Sequence, residues 1–193
     1  MKLSSRFEDA LIYATRLHAS QVRKGSGVPY VTHLLGTVSN ALDYGADEDQ
    51  AIAALLHEVV EDQGGAPCLE EIRERFGERV ARIVAGCTDA WSIPKPPWQE
   101  RKEAHLSSLR EADEDVLLVC CADKLHNARS LLRNYLQVGD VLWKRFRGGK
   151  EGTLWYYRSM VDLLKEIYPH PIVDELECVV LEIEKLVSGG NRA

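Results

Sequence analysis

The stretch AIAALLHEVVED, residues 51–62, decides the reading of this chain. Its first six residues, Ala51 to Leu56, are apolar without alternation. A helix that is apolar almost all round belongs in a protein interior. Asp47 stands where an N-cap would, and Gly64-Gly65 follow where the helix would stop. The segment therefore predicts a central, buried helix that delivers His57, Glu58, Glu61 and Asp62 at its end. Regular helical spacing puts His57 and Glu61 on one face and Glu58 and Asp62 on the next. Three carboxylates crowded there repel one another and oppose the negative end of the helix dipole. A bound divalent cation relieves both conflicts. The ordinary alternative, a solvated, charged helix end with a lone histidine, stands beside this reading until the rest of the chain is considered.

A second run of the same kind is VLLVCCADKLHNARSLLRNY, residues 116–135, where an apolar stretch opens into Asp123-Lys124-Leu125-His126-Asn127. Polar clusters emerging from two separate apolar helices point to a shared cavity. His33 follows the Gly-rich loop RKGSGVPY, residues 23–30, at the start of a further helix. Two imidazoles with two carboxylates form a mixed nitrogen and oxygen donor set suited to Mn, Fe or Zn, with water filling open positions.

Around these runs the chain reads as helices joined by short Gly and Pro loops. They cover about Ser4–Ala19, Thr32–Asp43, LEEIRERF and ERVARIVAGC on either side of Gly77, and Trp98–Arg110, with two or three more after Gly139 that include residues 155–167 and 173–187. SIPKPP, residues 92–97, reads as an exposed non-helical loop, because Pro lacks the amide donor and restrains the residue before it. Aromatic residues are 7% of the chain and no segment reads as a strand. The expected fold is all-α, with one domain over residues 1–193: a core of about 6–135 and C-terminal helices over about 139–188.

Of the 193 residues 45% are hydrophobic, enough for a core, and the net charge is -6. An acidic chain is a poor general nucleic-acid binder. It can hold an anionic nucleotide where local basic residues meet it, such as Arg23-Lys24; the group Lys144, Arg145, Arg147 and Lys150 reads first as a solvated helix end and second as a phosphate-binding rim. The five cysteines include no CxxC and read as reduced core thiols of a cytoplasmic protein. The start lacks the apolar segment of a signal peptide, and no run approaches the ~20 apolar residues of a membrane span. No GxGxxG, P-loop or GxSxG occurs, which leaves dinucleotide-binding, kinase and serine-hydrolase readings without support.

Four blocks, RKGSGVPYVTH (23–33), AIAALLHEVVED (51–62), FGERVARIVAGCTD (76–89) and ADKLHNARSL (122–131), carry a resemblance to the HD-domain metal-dependent phosphohydrolases. Within them the chain is most similar to the stand-alone (p)ppGpp hydrolases and the hydrolase half of RelA/SpoT proteins. The resemblance covers residues 6 to about 135, and WYYRSMVDLL (155–164) more loosely. It implies an HD-domain helical bundle with a C-terminal helical extension. It also implies one divalent metal, Mn²⁺, on His33, His57, Glu58 and Asp123, with Glu61 and Asp62 positioning and activating water. Arg23, Lys24, Asn127 and Ser130 would contact a small-molecule nucleotide, and Tyr156 or Tyr157 the far end of its pocket. The implied reaction removes the 3′-pyrophosphate of (p)ppGpp, with no nucleic-acid or membrane partner. The sequence leaves oligomeric state open, and two further readings stand beside this one: an HD hydrolase of another nucleotide or phosphate ester, and a nucleotide-sensing module.

Two positions depart from the pattern. Glu58 stands where the family has Asp, extending the carboxylate by roughly 1.5 Å. Leu34 stands where the family often has Pro. His18 and His105 read as surface or boundary residues, and His126 as structural rather than a ligand.

Overall fold

In the computed structural model, which describes residues 2–23, 26–91 and 94–189, the regular elements are helical. The α-helices are α1 (Ser5–Leu17), α2 (Val31–Asp43), α3 (Glu48–Leu56), α4 (Ala66–Phe76), α5 (Glu78–Cys87), α6 (Trp98–Leu109), α7 (Glu114–Val138), α8 (Gly149–Ile167) and α9 (Pro171–Gly189). A π-turn over Val60–Gly64 and a 3-10 helix over Gly139–Arg145 complete the list. This is the expected all-α bundle.

The apolar run of α3 is buried from Gln50 to Leu56, and α3 packs on α1, α2, α5 and α7. The apolar half of α7 is buried from Val116 to Asp123, and α2, α3, α5 and α9 surround it. Sequestering each large aliphatic side chain here, Leu55, Leu56 or Leu125, contributes about 1.5–3 kcal/mol. The buried cluster runs on from α1 through Ile172 and Val187 of α9, so the C-terminal helices share the core.

Both central helices start from an aspartate cap. Asp47 forms a capping box with Gln50, and Asp113 accepts from the Val116 amide. Arg79 of α5 then ties the two starts together. Its guanidinium donates to Asp47 (2.6 Å) and to both oxygens of Asp115 (2.8 and 2.9 Å). From Asp47 to His57 and from Asp113 to Asp123 is the same ten positions, about 15 Å of helical rise. Helices that begin level and run side by side present His57 and Asp123 at the same depth.

Several expectations are corrected. The third helix does not continue regularly to residue 62. It ends at Leu56, and after a turn the chain widens into the π-turn, with the Gly65 amide donating to the Val60 carbonyl (2.9 Å). Residues 94–97 are non-helical as expected, but Lys95 is half-buried against Glu61 and Asp62 rather than out in solvent; Ser92 and Ile93 lie outside the described residues. His18 and His105 are buried, not boundary residues: the ring of Tyr30 stacks on the first, and the second is on the buried face of α6. Cys120 and Cys121 are core thiols, whereas Cys178 is exposed on α9.

Candidate active site

The structure brings His33, His57, Glu58 and Asp123 together, with a donor atom from each lying within 4.8 Å of the others. His33 comes from the first turn of α2, His57 and Glu58 from the end of α3, and Asp123 from the middle of α7. His33 Nε2 lies 3.5 Å from Glu58 Oε1 and 3.3 Å from Asp123 Oδ1. His57 Nε2 lies 3.5 and 3.6 Å from the same two oxygens. The arrangement is symmetric, two nitrogens facing two oxygens.

His57 Nδ1 donates to the Ala54 carbonyl (2.8 Å), which fixes the ring and aims Nε2 into the cluster. Both Nε2 atoms are buried and lack a hydrogen-bond partner. Buried polar atoms in that condition carry a desolvation cost, and one cation bonded to all four donors removes it. The donor set therefore fits a divalent metal. The electrostatics point the same way. Burial alone would lower the His57 pKa, but the Asp123 and Glu58 carboxylates raise it to about 10. Against the same burial, the His33 and His57 imidazoles hold Glu58 well below the usual carboxylate range, and Lys124 with the two imidazoles does so for Asp123.

Glu61 and Asp62 stand apart from this cluster. Glu61 instead faces Asp89, Lys95 and Arg101. Glu61 Oε1 accepts from Lys95 (2.6 Å) and lies 3.5 Å from Arg101 Nη1. Burial, followed by a hydrogen bond with the Asp89 carboxyl and its charge, pushes Glu61 up to about 7. Asp89 in turn stays well below its ordinary value, against burial, through Glu61 and the ammonium of Lys102 and guanidinium of Arg101 (2.5 and 2.6 Å). Asp62 accepts from Gln21 (2.7 Å), and the Gln21 side-chain oxygen accepts in turn from His18 (2.7 Å). The buried His18 thus steadies Asp62 through Gln21.

Gln21, Glu58, Glu61, Asp62, Lys95 and Arg101 line a cavity of about 1120 Å³. Eight cationic side chains face it against three carboxylates, so the pocket of an acidic chain is itself strongly basic. Arg23 lines the entrance and donates to Asn127 Oδ1 (2.7 Å), while Asn127 donates to Asp123 Oδ1 (2.6 Å). Ser130 lines the wall and accepts from Arg133. Lys24 lies outside the described residues. Tyr156 and Tyr157 line the cavity, with Lys102 Nζ 4.7 Å from the Tyr156 ring centroid. Arg145 and Arg147 line it too, which favours the rim over the solvated helix end for that part of the group.

Sequence reasoning missed Asp89, Lys95, Arg101, Lys102 and Lys124. Lys124, whose Nζ donates to Asp123 Oδ2 (2.5 Å), and Asp89 both fall inside the quoted blocks, and their positions there were the available signal. Lys95, Arg101 and Lys102 reach the site only through the packing of α6 and its preceding loop, and no spacing announces them.

Comparison with known proteins agrees with this geometry. The HD-domain family matches residues 10–152. The guanosine-3′,5′-bis(diphosphate) 3′-pyrophosphohydrolase MESH1 of Drosophila melanogaster is 37% identical over 135 residues, spanning 68% of this chain and 72% of that protein. A protein of the same pyrophosphohydrolase name from Aquifex aeolicus is 35% identical over 128 residues, 66% of this chain but 18% of its own length. The chain thus spans under a fifth of that longer relative. A solved structure described as a metazoan ortholog of SpoT that hydrolyzes ppGpp superposes with a TM-score of 0.76 at 27% identity, covering 94% of this chain and 97% of that one. By the family match, the shared sequence and the shared arrangement of helices, this chain belongs to the HD-domain family.

Proposed function

We propose that this chain is a metal-dependent phosphohydrolase that removes the 3′-pyrophosphate of (p)ppGpp, giving GDP or GTP and pyrophosphate. The observation that carries the reading is the pair of buried imidazole nitrogens facing Glu58 and Asp123 beneath a cavity lined with cations. The names of the two curated relatives and of the solved structure support the choice of substrate. In this reading His33, His57, Glu58 and Asp123 hold one divalent metal, Mn²⁺. When bound, such an ion lowers the pKa of water and screens phosphate charge.

The chain's own residues do the rest. Water supplies the oxygen that joins phosphorus, and the bond between phosphorus and the ribose 3′ oxygen breaks. Glu61, with its pKa near neutrality, takes the proton from the attacking water, and Asp62 orients that water. The proton that Glu61 accepts is then returned to the ribose 3′ oxygen, which leaves as a hydroxyl. Lys95, Arg101, Lys102 and Lys124 stabilise the negative charge of the pyrophosphoryl group under attack. Lys95 also lies 2.6 Å from Glu61 and 3.5 Å from Asp62, so it ties the phosphate-binding side of the pocket to the two carboxylates. Arg23, Asn127 and Ser130 hold the nucleoside, with Lys24 beside Arg23 in sequence, and Tyr156 and Tyr157 close the far end.

In the same reading residues 1–193 form one domain. No helix among the described residues is long and apolar enough to cross a membrane. We assign the protein to the cytoplasm, in keeping with its five free cysteines.

Product analysis tests the proposal. Purified protein is given ppGpp and a panel of other nucleotides, with Mn²⁺ or with EDTA, beside Glu61→Ala. Metal-dependent release of GDP and pyrophosphate, lost in Glu61→Ala, is the expected result. Turnover of only another nucleotide would keep the site and replace the substrate. Binding of ppGpp without turnover under any condition would make the chain a nucleotide sensor.

A further inference from the structure

A glycine in the middle of α2 has a cost: Gly in a helix interior is about 1 kcal/mol less favourable than Ala. Gly36 nevertheless occupies the turn after His33. The structure gives the reason. A methyl group at Gly36 would lie 2.1 Å from Cδ2 and 2.4 Å from Nε2 of the His126 imidazole. The bare backbone lets a ring from α7 lie directly on α2, with its Nδ1 2.9 Å from His33 Nδ1. The two ring centroids are 4.9 Å apart.

This contact links two protons. If His33 Nε2 is to offer a lone pair to a cation, His33 must carry its proton on Nδ1. That N–H then donates to His126 Nδ1, and the His126 proton resides on Nε2. In the reverse arrangement His33 Nε2 would carry the proton and could not ligate. Metal-bound histidines are commonly oriented by such an acceptor on the other ring nitrogen. His57 has one in the Ala54 carbonyl. His33 has His126, which is not itself one of the four clustered donors.

We propose that His126, seated in the space left by Gly36, is the positioning residue that fixes the tautomer and ring orientation of His33 for metal binding. This rests on reading the four-residue cluster as a metal centre. His126 acts as a hydrogen-bond acceptor and not as a ligand.

The test is calorimetric titration of the full chain with Mn²⁺ alone, without nucleotide, for wild type, His33→Ala, His126→Leu, His126→Asn and Gly36→Ala. Thermal melts establish that each variant is folded. His126→Leu keeps a similar volume and removes the acceptor, and its Kd should rise about 10–100-fold. His126→Asn puts an oxygen near the position of Nδ1 and should recover most of that loss. Gly36→Ala displaces the ring and should weaken binding in the direction of His126→Leu. Nitrogen-detected NMR of the Mn²⁺-free protein loaded with diamagnetic Zn²⁺ should report His33 protonated at Nδ1. Wild-type affinity in folded His126→Leu, with binding lost in His33→Ala, would overturn the role of His126 and leave the metal centre standing. Failure of the wild type to bind either ion would overturn both.

Discussion

Replacing Glu61 by glutamine should disable the enzyme and stabilise the fold, and the gain should depend on pH. Glu61 is mostly buried beside Asp89, and its pKa rises from an ordinary 4.5 to about 7. That difference is about 3 kcal/mol of preference for the neutral carboxyl. The folded value lies above the unfolded one, so the favourable contribution is fully present below pH 4.5 and is lost as pH rises through 7. Glutamine imitates the neutral acid at every pH. Metal-free Glu61→Gln should therefore match wild type near pH 4.5 and gain on it by about 1.4 kcal/mol per pH unit toward 7. By pH 8 the advantage should level off at about 3 kcal/mol. Urea denaturation in EDTA at pH 5 and pH 8 measures this directly. The same variant should lose about 10²–10⁴-fold in kcat if Glu61 is the general base. A stability difference that is equal at both pH values would refute the account of Glu61 as a carboxyl whose ionisation the site opposes.

Three further outcomes are expected. Asp89→Asn removes the charge that helps raise Glu61, so the acid limb of kcat/KM should move to lower pH, as a pH-rate profile would record. Glu58→Asp withdraws an oxygen now 3.5 Å from both imidazoles by roughly 1.5 Å, and steady-state kinetics with Mn²⁺ should show a loss of about 10²-fold in kcat/KM. Leu125→Ala empties a fully buried position two residues from Asp123, and chemical denaturation should show a loss of about 2–5 kcal/mol.

Much of this protein was legible in one dimension, because helices write their burial and their ends into local sequence. The unbroken apolar runs of residues 51–56 and 116–122 can be satisfied only inside a bundle, and Asp47 marks where the first of those helices starts. The four clustered donors were identifiable for the same reason: each follows an apolar run or a Gly-rich loop within a block of family pattern. Tertiary structure decided what depends on contacts between distant helices. Glu61 meets Asp89 only because the end of α5 packs beside the turn that carries it. Lys95, Arg101 and Lys102 become partners of Glu61 and Asp89 only because α6 packs across the cavity. Gly36 and His126, 90 positions apart, form one feature because two helices press together where a side chain is missing. Periodicity records which face of a helix is buried; it does not record which atom of another helix that face will meet.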